Sequence, residues 1–331
     1  MNVSFILLYL ATFICTFCLT ALVMRWMLPR LKRSAAQPIY TDGPKWHSSK
    51  SGTPTMGGIS FILAIDLVLL LFSLMLFKNG GTTRGWLLVA GVAFATLNGA
   101  VGIADDLKKL KRRENKGLSA IQKLLLQAVL SAAYMLALGF IGVDAGNPVF
   151  SFGQIRLGLL YYPLALLILL GITNCANLTD GLDGLASCTA FGIGAVLLLL
   201  SHAIFPDLSL AGAALMGGTA GFLVYNLNPA RVFMGDTGSL YLGALVAACA
   251  FASGNMLLAV VLGAVYVIEG CSVIIQVAAF KLTGRRVFKI APIHHHLEKC
   301  GWSENAVCIL ALLITLAAGL AAVLLFSGGL W

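Results

Sequence analysis

The sequence predicts an all-α, polytopic integral membrane protein, and three observations carry that prediction. Hydrophobic residues make up 59% of the chain and charged ones only 11%, with a mean hydropathy of +0.93. A soluble domain of this length needs far more charge to stay in water. Apolar stretches near the ~20 residues needed to cross a bilayer recur along the whole length. The basic residues between those stretches fall on alternate connections, as they do when one side of a membrane is cytoplasmic.

Ten spans follow in order: 3–25, 55–77, 86–104, 119–140, 158–176, 185–203, 209–226, 238–254, 256–280 and 304–327. The first has no basic flank before it, whereas Arg25, Arg30, Lys32 and Arg33 follow it. A secretory signal has the opposite polarity, so this reads as a retained helix with its N-terminus outside. With the chain alternating from there, only Lys78, Arg84 and Arg156 of the 22 Lys and Arg residues fall outside the cytoplasmic connections and helix ends. A wrong count of helices would scramble that asymmetry. Both termini are therefore expected to be extracytoplasmic. Residues 1–331 read as a single transmembrane domain, with loops 26–54, 105–118, 174–184, 226–239 and 281–303 facing the cytoplasm.

The formal net charge of +9 is then a matter of topology and of contact with anionic membrane lipid, not of nucleic-acid binding. The eight cysteines do not form a disulfide framework. Cys15 and Cys18 lie inside the first span, without the soluble context of a redox motif, and read as helix-packing thiols. Whether the chain works alone or as a homodimer is left open by the sequence.

The cytoplasmic connections carry the polar chemistry. The first ends Lys50-Ser-Gly-Thr-Pro-Thr-Met-Gly-Gly58, in which Lys50, Thr53 and Thr55 can donate to an anion beside helix-breaking glycines. The second begins with Asp105 and Asp106 and continues through Lys109, Lys111, Arg112, Arg113 and Lys116. Adjacent carboxylates are costly at a membrane boundary, and their repulsion raises the pKa of one of them, which is one way to make a general base. Lys123, early in the fourth span, can join that surface.

The third connection holds Asn174, Asn177, Asp180 and Asp183 with Gly181 and Gly184 within 11 residues, more amides and acids than a turn requires. If this segment opens the sixth helix, Asp180 and Asp183 share a face. The fourth, from Asn226 through Phe233 to Ser239, sets Asp236 among Gly235, Thr237 and Gly238. Asp236 either caps the helix that follows or offers a hard oxygen to a divalent cation. The fifth carries Arg285, Arg286, Lys289 and then His294, His295 and His296. Consecutive histidines rarely present three nitrogens to one zinc ion, so contact with a diphosphate fits this basic setting better. Glu269 and Gln276, seven apart in the ninth span, lie on one face. Asp66, alone in the second span, is expected to pack against a polar helix partner.

In this order, the Lys50–Gly58 run, Asp105-Asp106, Asn177-Leu-Thr-Asp-Gly-Leu-Asp-Gly184, Phe233-Met-Gly-Asp236 and Pro292-Ile-His-His-His-Leu-Glu298 form a recognisable series. From about residue 45 to 303 the chain resembles the polyprenyl-phosphate N-acetylhexosamine-1-phosphate transferase superfamily. The Ala291-Pro-Ile-His-His-His run, with Gly301-Trp302 after it, is similar to the branch that acts on UDP-MurNAc-pentapeptide. Leu297, where Phe is common, and Cys300 are small departures. The resemblance implies ten helices with a cytoplasmic active site in the bacterial inner membrane. It implies transfer of phospho-MurNAc-pentapeptide from UDP-MurNAc-pentapeptide to undecaprenyl phosphate, giving lipid I and UMP in peptidoglycan synthesis, with Mg²⁺ required.

By the same resemblance Asp236 holds Mg²⁺ and Asp105 or Asp106 serves as base. Phe233 and Asp183 bind uracil, Lys50, Asn177 and Asp180 bind the rest of the nucleotide-sugar, and His294 to His296 sit beside the diphosphate. Thr55, Lys123, Asn174, Asn226 and Gln276 complete the candidate substrate contacts. Two rivals stand against this reading. A relative using UDP-GlcNAc with a polyprenyl phosphate is disfavoured by the histidine motif. A transporter would place its acids near mid-bilayer rather than at one interface.

Overall fold

The computed structural model describes residues 3–35, 50, 52–112, 117–143, 149–150, 153–154, 157–204 and 206–326. Twelve helices account for nearly all of them: α1 (Val3–Ser34), α2 (Ile59–Lys78), α3 (Thr82–Arg112), α4 (Ala120–Ile141), α5 (Tyr161–Thr179), α6 (Leu185–Ile204), α7 (Pro206–Asn226), α8 (Gly235–Ala252), α9 (Leu258–Leu262), α10 (Ala264–Thr283), α11 (Ile293–Lys299) and α12 (Glu304–Phe326). Between α4 and α5, Val149–Phe150 and Gly153–Gln154 pair as a two-residue antiparallel ladder. Among the described residues nine helices are long and apolar enough to cross a membrane, and α6 adds the shorter apolar stretch Leu185–Leu200. Each of the ten expected spans therefore has its helix.

The boundaries differ where polar residues continue a helix. α1 runs to Ser34, so the first connection starts later than residue 26. α3 runs to Arg112, which puts Asp105 and Asp106 on a helix rather than in a loop. The expected ninth span, 256–280, is broken at Gly263 into α9 and α10. The loop 281–303 contains α11, which carries the three histidines. Asp180 and Asp183 do not open α6; they lie in the turn before Leu185, so a shared helical face is not how they meet a ligand. Cys15 and Cys18 lie exposed on the outer face of α1 and do not pack against a neighbouring helix, because the buried face of that helix is built from Thr12, Thr16 and Thr20.

α8 is the axis of the bundle, with every residue from Thr237 to Phe251 buried. Small residues let its neighbours approach closely, which is how helices gain packing energy where lipid supplies no hydrophobic drive. A methyl at Gly102 of α3 would strike the backbone of Asp236, and one at Gly58 would strike Gly238. One acid inside the bundle is paired across three helices. Asp66 of α2 accepts from Thr96 Oγ1 at 2.5 Å and from Tyr241 Oη at 2.7 Å, tying α2 to α3 and α8. That is the polar helix partner expected for this acid.

An even number of spans separates the polar connections, and the structure brings them to one end of the bundle. Asp106 and Lys123 reach Asp236 there, Asn177 joins them, and Lys50 reaches Asp183 and Glu304.

Candidate active site

Consecutive residues on a helix point about 100° apart, so Asp105 and Asp106 serve different neighbours. Asp106 faces the start of α8. Its Oδ2 accepts from Thr237 N at 3.0 Å and Thr237 Oγ1 at 2.8 Å, and its Oδ1 accepts from Asp236 N at 3.3 Å. These are orphan amides of a helix N-terminus, and the N-cap residue Met234 supplies no side-chain acceptor. Asp106 therefore caps α8 from another helix. Gly235 permits the approach: its φ is +72°, and a methyl there would collide with Asp106 and Thr55.

With the cap supplied from α3, the carboxylate of Asp236 turns to the cleft. Lys123 Nζ lies 2.5 Å and Lys109 Nζ 3.2 Å from its Oδ2, while Asn177 Nδ2 donates to Oδ1 at 3.1 Å. Asp105 pairs with Lys109 at 2.7 Å and Lys123 at 3.3 Å and accepts from Leu118 N at 2.6 Å. Asp105, Asp106 and Asp236 each place an oxygen within 4.8 Å of the others. Three carboxylates against two ammonium groups leave one net negative charge. Such a set of hard oxygens fits a divalent cation such as Mg²⁺. The cation would turn the centre positive and ready to receive phosphate. Asp105, Lys109, Lys123, Asn177 and Asp236 line a cleft of about 590 Å³, with Lys108 and Arg112 at its rim.

The turn between α5 and α6 forms the second wall. The Asp180 carboxyl is pushed up to about 8, first by burial and then by the charges of Asp236, Asp106 and Asp183, with Lys109 opposing. Asp183 anchors a second polar cluster. Its Oδ1 meets Lys50 Nζ at 2.7 Å, and its Oδ2 accepts from Asn228 Nδ2 at 3.1 Å and Ala230 N at 2.9 Å. Glu304, in the first turn of α12, takes the other side of Lys50 at 2.6 Å and accepts from Asp183 N at 2.7 Å. Phe233 lies beside this cluster in chain order, held through its backbone by Pro54 O at 2.8 Å and Gly57 N at 2.9 Å.

The three histidines have three different surroundings. His294 is buried, with Nδ1 3.0 Å from Glu269 of α10. His295 Nδ1 lies 2.8 Å from Glu298. His296 Nδ1 accepts from Lys289 N at 3.1 Å, with Cys300 Sγ 3.8 Å from its Nε2.

Three expected substrate contacts make hydrogen bonds within the protein. Asn174 donates to Gln127 and to Leu170 O, both at 2.8 Å. Asn226 accepts from Ser187 and donates to Val232 O, both at 3.0 Å. Gln276 accepts from Val287 N and Phe288 N and donates to Phe288 O, closing the loop that follows α10. All three amides are bonded within the protein. Thr55 is buried against Gly235, with its backbone N bonded to Ala35 O. In the other direction, Lys109, Asn228 and Glu304 were not among the expected site residues. Lys109 had a signal, since it stands four residues after Asp105 on what proves to be one helix. For Glu304 and Asn228 the sequence offers none.

A helical membrane bundle with a carboxylate–lysine cleft at one end suits an enzyme that brings phosphate and a divalent cation together at a membrane edge. Residues 86–254 match the family model Glycosyl transferase family 4, and residues 50–62 match the phospho-N-acetylmuramoyl-pentapeptide-transferase signature 1. The chain is similar to phospho-N-acetylmuramoyl-pentapeptide-transferase of Heliobacterium modesticaldum, with 43% identity over 291 residues, 86% of this chain and 88% of that one. For the protein of that name from Shouchella clausii the identity is 44% over 300 residues, 89% and 90% of the two chains. For the one from Clostridium perfringens strain SM101 it is 42% over 286 residues, 86% of each. The chain belongs to the phospho-N-acetylmuramoyl-pentapeptide-transferase family.

Proposed function

We propose that the protein transfers phospho-MurNAc-pentapeptide from UDP-MurNAc-pentapeptide to undecaprenyl phosphate, releasing UMP and forming lipid I. The observation that carries the reading is the Asp105–Asp106–Asp236 centre with Lys109 and Lys123 beside a cleft at one end of a membrane bundle. Phosphoryl transfer asks a protein for positioning and charge neutralisation more than for covalent chemistry.

In this reading Asp236 would hold Mg²⁺, which would neutralise charge developing on the diphosphate. Lys109 and Lys123, displaced from Asp236, turn to phosphate oxygens. Asp106 keeps the start of α8 in register. Its oxygens are taken up by the amides of Asp236 and Thr237, which favours Asp105, on the cleft wall, as the base facing the lipid phosphate. Lys50, Asp183 and Phe233 bind the uridine end, Asn177 and Asp180 the remainder of the nucleotide-sugar, and His294 the diphosphate. The Lys/Arg asymmetry supports a cytoplasmic orientation for this end in the bacterial inner membrane, with both termini outside. The test is a transfer assay with purified protein, undecaprenyl phosphate and Mg²⁺, comparing UDP-MurNAc-pentapeptide with UDP-GlcNAc. Preferential use of UDP-GlcNAc, or no transfer from either, would overturn the proposal.

A further inference from the structure

Glu269 is a buried acid inside α10, only 4% exposed, on a face it shares with Val265, Tyr266 and Ser272. Burying a carboxylate is costly unless it is paired. The pair here is His294, itself 1% exposed. The ring Nδ1 lies 3.0 Å, and the backbone N 3.4 Å, from the same oxygen, Glu269 Oε2. A carboxylate accepts, so Nδ1 carries the proton and Nε2 is the nitrogen left over. That Nε2 is buried and has no hydrogen-bond partner among the described residues. It looks at Gly181, where a methyl would collide with it. Gly181 follows Asp180, which lies within electrostatic reach of Asp236 and Asp106.

We propose that Glu269 is a positioning residue that sets the orientation of the His294 ring, so that Nε2 is presented across Gly181 to an anionic oxygen of the diphosphate. The proposal rests on the nucleotide-sugar reading above and adds to it a division of labour among the histidines. A buried polar atom without a partner calls for an explanation, and here the atom faces the turn that carries Asp180, where a ligand can supply the partner. A carboxylate on one ring nitrogen fixes the tautomer and the orientation of the ring, an arrangement found in many metal and catalytic sites. With a carboxylate at Nδ1 the ring can take up a proton at Nε2 as the anion binds, and this imidazolium then donates to both the Glu269 carboxylate and the phosphate oxygen. The other groups around it are acidic or neutral: Asp180 beyond Gly181, Tyr266 one turn before Glu269, and the ring of His295 at 4.2 Å, itself paired with Glu298. No lysine or arginine pairs with Glu269 among the described residues. His295 and His296, by contrast, hold α11 and its flanks together through Glu298 and Lys289.

The experiment uses the full chain in detergent, labelled with ¹⁵N at histidine, with the His294 signals assigned from a His294→Gln variant. UDP is the probe, and uridine is the control without phosphate. UDP should move the His294 Nε2 resonance in the wild type, uridine should not, and Glu269→Gln should abolish the response. Glu269→Gln should also lower kcat by roughly 10- to 100-fold, the usual cost of losing a carboxylate behind a histidine. Glu269→Asp should restore part of it. Gly181→Ala, with Glu269 intact, should block the UDP response by filling the space in front of Nε2, so the proposal stays testable if Glu269→Gln fails to fold. A silent Nε2 on adding UDP, an equal response to uridine, or wild-type kcat in a folded Glu269→Gln protein would each overturn it. Failure of the wild type to transfer phospho-MurNAc-pentapeptide would instead overturn the function, leaving the UDP response as the separate test of this geometry.

Discussion

Asp106 Oδ2 lies 3.0 Å from the backbone nitrogen of Thr237, so an acid on α3 caps the helix that carries Asp236. Removing it should loosen the start of α8. We expect Asp106→Ala to cost about 1–2 kcal/mol, in the range of a lost N-cap, and Asp106→Asn to cost less because an amide oxygen still accepts. Thermal unfolding in detergent measures both. An Asp106→Ala protein as stable as the wild type would show that the cap is not what Asp106 contributes.

Asp236, freed from capping, should behave in the opposite way. Asp236→Asn should leave the cap of α8 intact while losing roughly 100-fold or more in turnover, since it removes the charge that meets Lys109, Lys123 and the cation. A transfer assay at saturating Mg²⁺ checks this. Near wild-type turnover there would sink the ligand assignment.

The raised pKa of Asp180 makes a pH prediction. A group whose pKa is higher in the folded than in the unfolded protein contributes stability below its unfolded value, here 3.8, and loses it as pH rises through the folded value of about 8. Without a divalent cation the protein should therefore lose stability from about pH 4 to about pH 8, as the Asp180 carboxyl ionises beside Asp236, Asp106 and Asp183. Asp180→Asn should flatten that slope. Melting curves across this range decide the matter, and an unchanged slope in the variant would refute the assignment.

Lys50 sits between Asp183 and Glu304, at 2.7 and 2.6 Å. Lys50→Met should leave two facing acids and cost about 1–3 kcal/mol. Adding Glu304→Gln should recover part of the stability, because it removes the repulsion, yet recover no nucleotide binding. A double-mutant cycle on melting temperature and UDP affinity separates the two effects. Additive losses would mean that the three charges are uncoupled.

Sidedness can be tested with exposed positions at the two ends of the bundle. In a background without native cysteines, Lys111→Cys and Arg286→Cys should resist an impermeant thiol reagent in intact cells, whereas Asn79→Cys should label. Labelling of Lys111→Cys from outside would place the cleft on the wrong face of the membrane.

The sequence by itself determined the membrane class, the ten apolar helices and the gathering of the motif-bearing connections at one end. These follow from quantities local to the chain: the length of an apolar run and the even number of runs between Asp105, Asp180, Asp236 and His294. It also singled out Asp236 and the Asp105–Asp106 pair, because adjacent acids at a membrane boundary are costly wherever the helices go. Which acid caps α8, open in the sequence at Asp236, was decided by the approach of α3 to α8 at Gly102, which delivers Asp106 to the amides of Asp236 and Thr237. The hydrogen bonding of the amides was decided by other tertiary contacts. Asn174, Asn226 and Gln276 have the composition of ligand contacts but are bonded to Gln127, to Ser187 and Val232, and to Val287 and Phe288. Glu304 entered the site only through the docking of α12 against the α5–α6 turn. A hydrogen bond depends on positions to within a fraction of an ångström, and at Asp106 and Glu304 those positions are set by partners more than a hundred residues away. Hydrophobic length needs no partner to be read; hydrogen-bond direction does.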